Sequence, residues 1–342
     1  MVAPSCLVVW DPRFEEYDLG PEHPFQERSR RLAVRLLERS IEGADPPFPE
    51  RLTEVAPATR TELESFHQGG YLDRLSEASA TGHPRFLDAG DTPTFLGCLE
   101  ASARIVGGAI AGVRSVLEGR SRTAFHPSGG LHHAHPDRAS GFCILNDPAV
   151  AIATALRPIG PLQRIAYIDV DAHHGDGVMY GFYDRGSVLD IDFHQDGRTL
   201  FPGTGAVRET GRGDGSGLKV NVPVPPGTGE ADFRPLFLTL VPAMPREYRP
   251  ELIVLQHGVD GHLGDPLASL SYGPSCYDLA VRCVRDLADE LCGGRLVVTG
   301  GGGYRPEHVA RVLARAGRQL SGLPLPDGPL PPAWRGEFSA AF

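Results

Sequence analysis

An apolar run that ends in acids and imidazoles constrains this chain more than any other stretch: Ile168-Asp169-Val170-Asp171-Ala172-His173-His174-Gly175-Asp176. Its start reads as a buried strand. Residues two apart on an extended chain point the same way, so Asp171 and His173 can meet one cation. Asp169 and Asp176 are then free to orient imidazoles supplied from elsewhere. A strand that stops at such a cluster suits an open, mostly parallel sheet, where ligands gather beyond the carboxyl ends of the strands.

The rest of the chain agrees with that architecture. Short β-rich runs are expected at 7–10, 164–168, 188–191, 219–222, 252–255 and 296–299, and 123–125 leads into a loop over 126–138. Helices are expected over 28–39, with Leu32, Leu36 and Leu37 on one face, and over 99–117. Asn146 or Asp147 can cap a further helix that has Pro148 in its first turn. The glycine-rich stretch 211–217 lacks the lysine and context of a phosphate loop and reads as a surface loop. At 342 residues the chain can bury a full core. The fold class expected is α/β: a single domain over 1–322 with a mostly parallel central sheet flanked by helices, followed by a Pro-rich tail over 323–342.

Composition excludes some functions. A net charge of −10 and the lack of a Lys/Arg stripe argue against nucleic acid as a partner and mildly favour a cationic substrate. No apolar stretch approaches the ~18 residues that span a bilayer, and residues 1–10 do not read as an export signal, so no membrane partner is expected. Cys6, Cys98, Cys143, Cys276, Cys283 and Cys292 show no C-x-x-C spacing and read as reduced thiols of a cytoplasmic protein. Lys219 is the only lysine.

Three further motifs complete the pattern. His132-His133 precedes Ala139-Ser140-Gly141-Phe142-Cys143, Gln256-His257-Gly258-Val259-Asp260 follows a buried strand, and Gly300-Gly301-Gly302-Gly303-Tyr304 follows the last one. In this order, from about Tyr17 to about Ala316, the chain resembles the histone deacetylase superfamily, most closely its bacterial acetoin-utilisation deacetylases, which have an arginase-like fold. The resemblance implies a zinc-dependent amidohydrolase that removes acetyl groups from lysine side chains by attack of an activated water. It implies Zn²⁺ at Asp171, His173 and Asp260, with Fe²⁺ or Co²⁺ as substitutes. His132 and His133 match the paired catalytic histidines, with Asp169 and Asp176 as their carboxylates, and Tyr304 matches the oxyanion-binding tyrosine. Gly141, Phe142, Phe201 and Leu267 match tunnel walls, and Asp91 matches a rim carboxylate that accepts peptide N–H groups. A K⁺ or Na⁺ site is implied at Asp169, Asp171, His173, Asp192 and Phe193. The chain departs twice from the pattern: Asp192 stands where a serine is implied, and Ser29, flanked by Arg28 and Arg30, stands at an internal arginine. The partners expected are an acetylated protein, peptide or small amine; the oligomeric state stays open.

Blander and competing readings remain at this point. Asp-x-His is common at surfaces, and Phe142 and Phe201 could be ordinary core rings. An arginase-like two-metal hydrolase would need a carboxylate two residues after the ligand histidine, where this chain has Gly175. A non-catalytic acyl-lysine-binding module could dispense with Tyr304 and the histidines, yet all are present. An acetylpolyamine amidohydrolase is the nearest rival.

Overall fold

The computed structural model describes residues 6–41 and 50–325. Within them the chain runs β1 (Cys6–Val9), α1 (Arg28–Ser40), β2 (Glu50–Leu52), α2 (Arg60–Leu63), α3 (Gly69–Thr81), α4 (Cys98–Leu117), β3 (Thr123–His126) and α5 (Asp147–Ala155). It continues through β4 (Ile165–Asp169), α6 (Asp176–Gly181), β5 (Val188–Gln195), β6 (Lys219–Val224), α7 (Glu230–Tyr248), β7 (Leu252–Gln256), α8 (Pro274–Cys292), β8 (Leu296–Thr299) and α9 (Pro306–Leu320). The eight strands form one sheet in the order β2-β1-β3-β8-β7-β4-β5-β6, and every neighbouring pair is parallel. The expected mostly parallel sheet is thus parallel throughout.

Both faces of the central strands are covered, which is why their sequences read as nearly continuous apolar runs. Alternation decides which core each residue joins. Ala166 and Ile168 of β4 pack with Leu32, Leu36, Val284 and Val312 of α1, α8 and α9. Ile165 and Tyr167 pack with Ile105, Ile110 and Val150 of α4 and α5 on the other face. The Asn146 side chain accepts the Ala149 N–H at 2.9 Å and caps α5 as expected. Five of the six cysteines are buried, Cys283 is half-buried, and all six are free thiols.

Several boundaries differ from expectation for physical reasons. β5 runs on to Gln195 rather than stopping at 191, because Asp192 and His194 are buried and bond to each other. β2 is a short, exposed edge strand with no apolar signature. Leu323, first residue of the Pro-rich segment, is buried beside α1 and α9, so the core reaches past 322. The rest of that segment from 326 onward lies outside the described residues.

Candidate active site

The sheet brings four strand ends together. The chain passes from β3 over two vacant positions to β4, builds outward through β5 and β6, then returns to fill the gap with β7 and β8. The loops after β3, β4, β7 and β8 therefore share one rim, the place where open parallel sheets hold ligands.

β4 ends at Asp169, so Asp171 and His173 are not on an extended strand as expected; they lie in the bend beyond it. Their convergence comes from a turn in which Asp171 Oδ1 accepts the His173 N–H at 3.0 Å. His173 Nδ1 faces Asp171 Oδ1 at 3.2 Å and Asp260 Oδ2 at 2.8 Å. Donor atoms of Asp171, His173 and Asp260 lie within 4.8 Å of one another, and all three side chains are buried. Burial alone would depress the imidazole, yet the Asp260 and Asp171 carboxylates raise His173 to about 10. Two buried carboxylates facing one nitrogen thus draw positive charge into the cluster. One nitrogen and two oxygen donors fit a divalent cation such as Zn²⁺.

Both expected dyads are formed. His132 Nδ1 lies 2.8 Å from Asp169 Oδ2, and His133 Nδ1 lies 2.8 Å from Asp176 Oδ1. The Tyr167 hydroxyl donates to Asp169 Oδ2 at 2.7 Å, and His135 Nε2 shares Asp176 at 3.0 Å. The two histidines are driven apart electrostatically. Burial opposes charge on His132, but Asp169 and Asp171 raise it to about 10. Burial and then the neighbouring His132 charge lower His133 to about 4.

Tyr304 follows the glycine loop after β8, its ring 6.4 Å from that of His173. Gly302 donates its N–H to Asp171 Oδ2 at 2.7 Å, and a Cβ there would come within 2.0 Å of Asp260 Oδ2. Only glycine lets the backbone approach the carboxylates so closely.

Neither aromatic expected at the walls is a fully buried ring, although Phe142 packs on the edge of a core cluster. Phe201 is 42% exposed and packs edge-on against His133, while half-buried Phe142 packs against Tyr304 and His23. Phe142 has φ +70°, an unfavourable conformation for an aromatic residue. Thr92 holds its N–H at 3.0 Å and Tyr17 its carbonyl at 2.6 Å. Gly141 precedes it next to His133, and Leu267 is 37% exposed. Asp91 is exposed, and its carbonyl accepts from His23 Nε2 at 3.3 Å, which ties it to the Phe142 wall.

At the two departures the structure supplies its own solutions. Asp192 Oδ1 pairs with His194 Nδ1 at 2.7 Å, and Oδ2 accepts the Gly175 N–H at 2.7 Å. His194 Nε2 faces the Gly205 carbonyl at 3.0 Å, so both ring nitrogens meet acceptors and the ring carries both protons. Asp192 therefore has a cation from its own chain, and its charge adds to the field on His132. Phe193, beside it, is a buried core ring. Ser29 is buried in α1, but it is Arg30 that reaches behind the glycine loop and donates to the Gly301 carbonyl. Arg30 and His23 carry no spacing signal in the sequence; Gln256 opens the motif that ends in Asp260 but has no role assigned from it, and in the structure it donates to Asp171 Oδ2 at 2.9 Å from the end of β7.

The comparisons with known proteins bear on this geometry. A family model described as "Histone deacetylase domain" matches residues 23–320. The acetoin utilization protein AcuC of Bacillus subtilis (strain 168) is 35% identical over 339 residues, covering 96% of this chain and 85% of its own length. AcuC of Staphylococcus xylosus is 33% identical over 329 residues, covering 93% of this chain and 83% of its own. The crystal structure of the HDA15 HD domain superposes with a TM-score of 0.82 at 27% identity, covering 94% of this chain and 90% of that one.

Proposed function

The chain belongs to the histone deacetylase family and is an AcuC-like deacetylase, and on that premise we propose that it is a zinc-dependent hydrolase of acetyl-lysine in proteins or peptides. The observation that carries the reading is the convergence of Asp171, His173 and Asp260 beside two His–Asp dyads and Tyr304. Asp171, His173 and Asp260 would hold the divalent cation, which would supply Lewis-acid activation of the amide carbonyl and of a water. His133, kept neutral and with its Nδ1–H on Asp176, takes the water proton at Nε2 as the water attacks the carbonyl carbon, the water displacing the 3.1 Å contact that this nitrogen makes with His132 Nε2. The Tyr304 hydroxyl donates to the oxygen as it gains charge. His133 then returns the proton to the leaving amine, and that amine takes the remaining hydroxyl proton from the carboxyl group, giving the lysine ammonium and acetate. His132, charged and fixed by Asp169, supports the developing negative charge.

One divalent ion suffices. A Cβ on Gly175 would lie 2.7 Å from Asp169 Oδ2 and 3.2 Å from Asp192 Oδ2, so the side chain that a second metal would need has no room. The resemblance also implies K⁺ or Na⁺ at Asp169, Asp171, His173, Asp192 and Phe193; since His194 already neutralises Asp192, none of these steps calls on it. Free thiols at all six cysteines support a reducing, cytoplasmic setting. Among the described residues no helix is long and apolar enough to cross a membrane.

Half-buried Phe142 and exposed Phe201 and Leu267 suit the apolar stem of an acyl-lysine. Asp91, at the outer edge beside His23, suits the N–H groups of a peptide backbone, which a polyamine lacks. A panel of acetyl-lysine peptides and N-acetylated polyamines, assayed with unaltered protein and with Asp91→Ala, tests this. The substitution is expected to lower kcat/KM on peptides and to leave small acetylated amines much less affected. Faster turnover of acetylpolyamines than of every peptide would instead assign the protein as an acetylpolyamine amidohydrolase.

A further inference from the structure

Asp265 takes no part in holding the cation or in moving the proton, yet its carboxylate holds two elements of the site at once. It lies in the loop after β7 and is 8% exposed. Its Oδ1 accepts the Leu267 N–H at 2.9 Å, a local bond that any aspartate in a turn can make. Its Oδ2 accepts the Tyr304 N–H at 2.9 Å across a sequence separation of 39, which no local turn explains. One carboxylate therefore ties the wall residue Leu267, on the loop that carries Asp260, to the backbone of Tyr304.

The glycine loop needs such an anchor. Gly301 and Gly303 have φ of +155° and +125°, and residues without side chains have no packing of their own to hold Tyr304 in place. Most of the loop is pinned from other directions: the Gly300 N–H by His126 O at 2.9 Å, the Gly302 N–H by Asp171, the Gly302 carbonyl by the Val259 N–H at 2.8 Å, and the Gly301 carbonyl by Arg30. Those contacts end before Tyr304. At Tyr304 itself the backbone N–H goes to Asp265.

We propose that Asp265 is a positioning residue: it sets the Tyr304 hydroxyl for the oxyanion and links that placement to the tunnel wall at Leu267. The inference rests on the deacetylase reading of the site. Asp265→Asn keeps the shape but replaces one acceptor oxygen with a donor, so one of the two N–H groups loses its partner. A fall in kcat of about 10- to 100-fold is expected, from the cost of one buried unsatisfied donor. KM should change by less than about threefold, because the hydroxyl acts chiefly as the oxyanion forms. The decisive readout is a double-mutant cycle with Tyr304→Phe, itself expected to lower kcat by about 10²–10³-fold. In the Tyr304→Phe background, Asp265→Asn should cost less than about threefold, since the group it positions is gone. Bound metal should equal that of the unaltered protein.

Losses that multiply in the double variant would overturn the proposal, as would loss of metal from Asp265→Asn, which would place its action on Asp260. If Asp265→Asn does not fold, Asp265→Ser, which keeps an acceptor, enters the same cycle with the same criteria. Unimpaired turnover by Tyr304→Phe would overturn the role of Tyr304 and this proposal with it. That outcome is distinguishable from failure of Asp265 alone, in which Tyr304→Phe is impaired and the losses multiply.

Discussion

His132 and His133 are adjacent in sequence and nearly equally buried, yet their surroundings shift them in opposite directions, one toward the cation and the other toward the neutral ring. Asp169 and Asp171 outweigh desolvation at His132, whereas at His133 desolvation and the His132 cation prevail over the bond to Asp176. This difference sets the sign of the pH dependence. A general base must be unprotonated, and His133 is depressed to about 4 from an ordinary imidazole value of about 6.5. The base is therefore present above that lowered value and is lost as pH falls through it. The acid limb of kcat/KM is expected well below pH 6.5, and His133→Ala should lose about 10²–10⁴-fold in turnover across the profile. A limb at the ordinary imidazole value, or an active His133→Ala, would contradict the assignment. The histidine pair is legible in the sequence because both its residue types and its strand-end setting carry signal. Arg30 is not: α1 holds several arginines of equal appearance, and only the packed helix shows which one turns inward. Nor is Asp265, whose partner lies 39 residues away.

At the scale of elements, strands are readable in their apolar middles and misread at their ends. The sheet's carboxyl edge is where charged residues are buried and paired, so a reading that treats Asp192 and His194 as strand-enders cuts β5 short. α7 escapes the sequence pattern for a different reason. Pro235, Pro242 and Pro245 argue against a helix locally, yet Phe233, Phe237 and Val241 bury one face of it against the sheet, and that packing prevails. The glycine loop after β8 shows the reverse case, in which sequence pattern and structure agree. Its prediction concerns Gly302, where a Cβ would meet Asp260 Oδ2 at 2.0 Å while the other oxygen of that carboxylate is held by the Ala172 N–H at 2.7 Å. The carboxylate has little freedom to retreat. Gly302→Ala is expected to weaken metal binding by about 10- to 100-fold, the range for disturbing groups that orient metal ligands. Competition with a chelator measures this, and unchanged affinity would show that the loop yields more easily than the contacts suggest.

At the scale of the whole molecule, strand and helix alternation makes a parallel sheet legible, but not its order. β8 and β7 are inserted between β3 and β4, so spatial neighbours are remote in sequence, and no periodicity reports which strand ends will meet. The site is recoverable nonetheless, because each of its motifs follows a strand and an open parallel sheet gathers such ends on one rim. That convergence is why we propose one buried donor set of Asp171, His173 and Asp260 as the centre of the chemistry. The most direct test is acetate release from an Nε-acetyl-lysine peptide by chelator-stripped protein, before and after one equivalent of Zn²⁺ is added. The account predicts no turnover by the stripped protein and full recovery at one equivalent. Turnover that survives complete removal of metal, or recovery that requires a second equivalent, would contradict it.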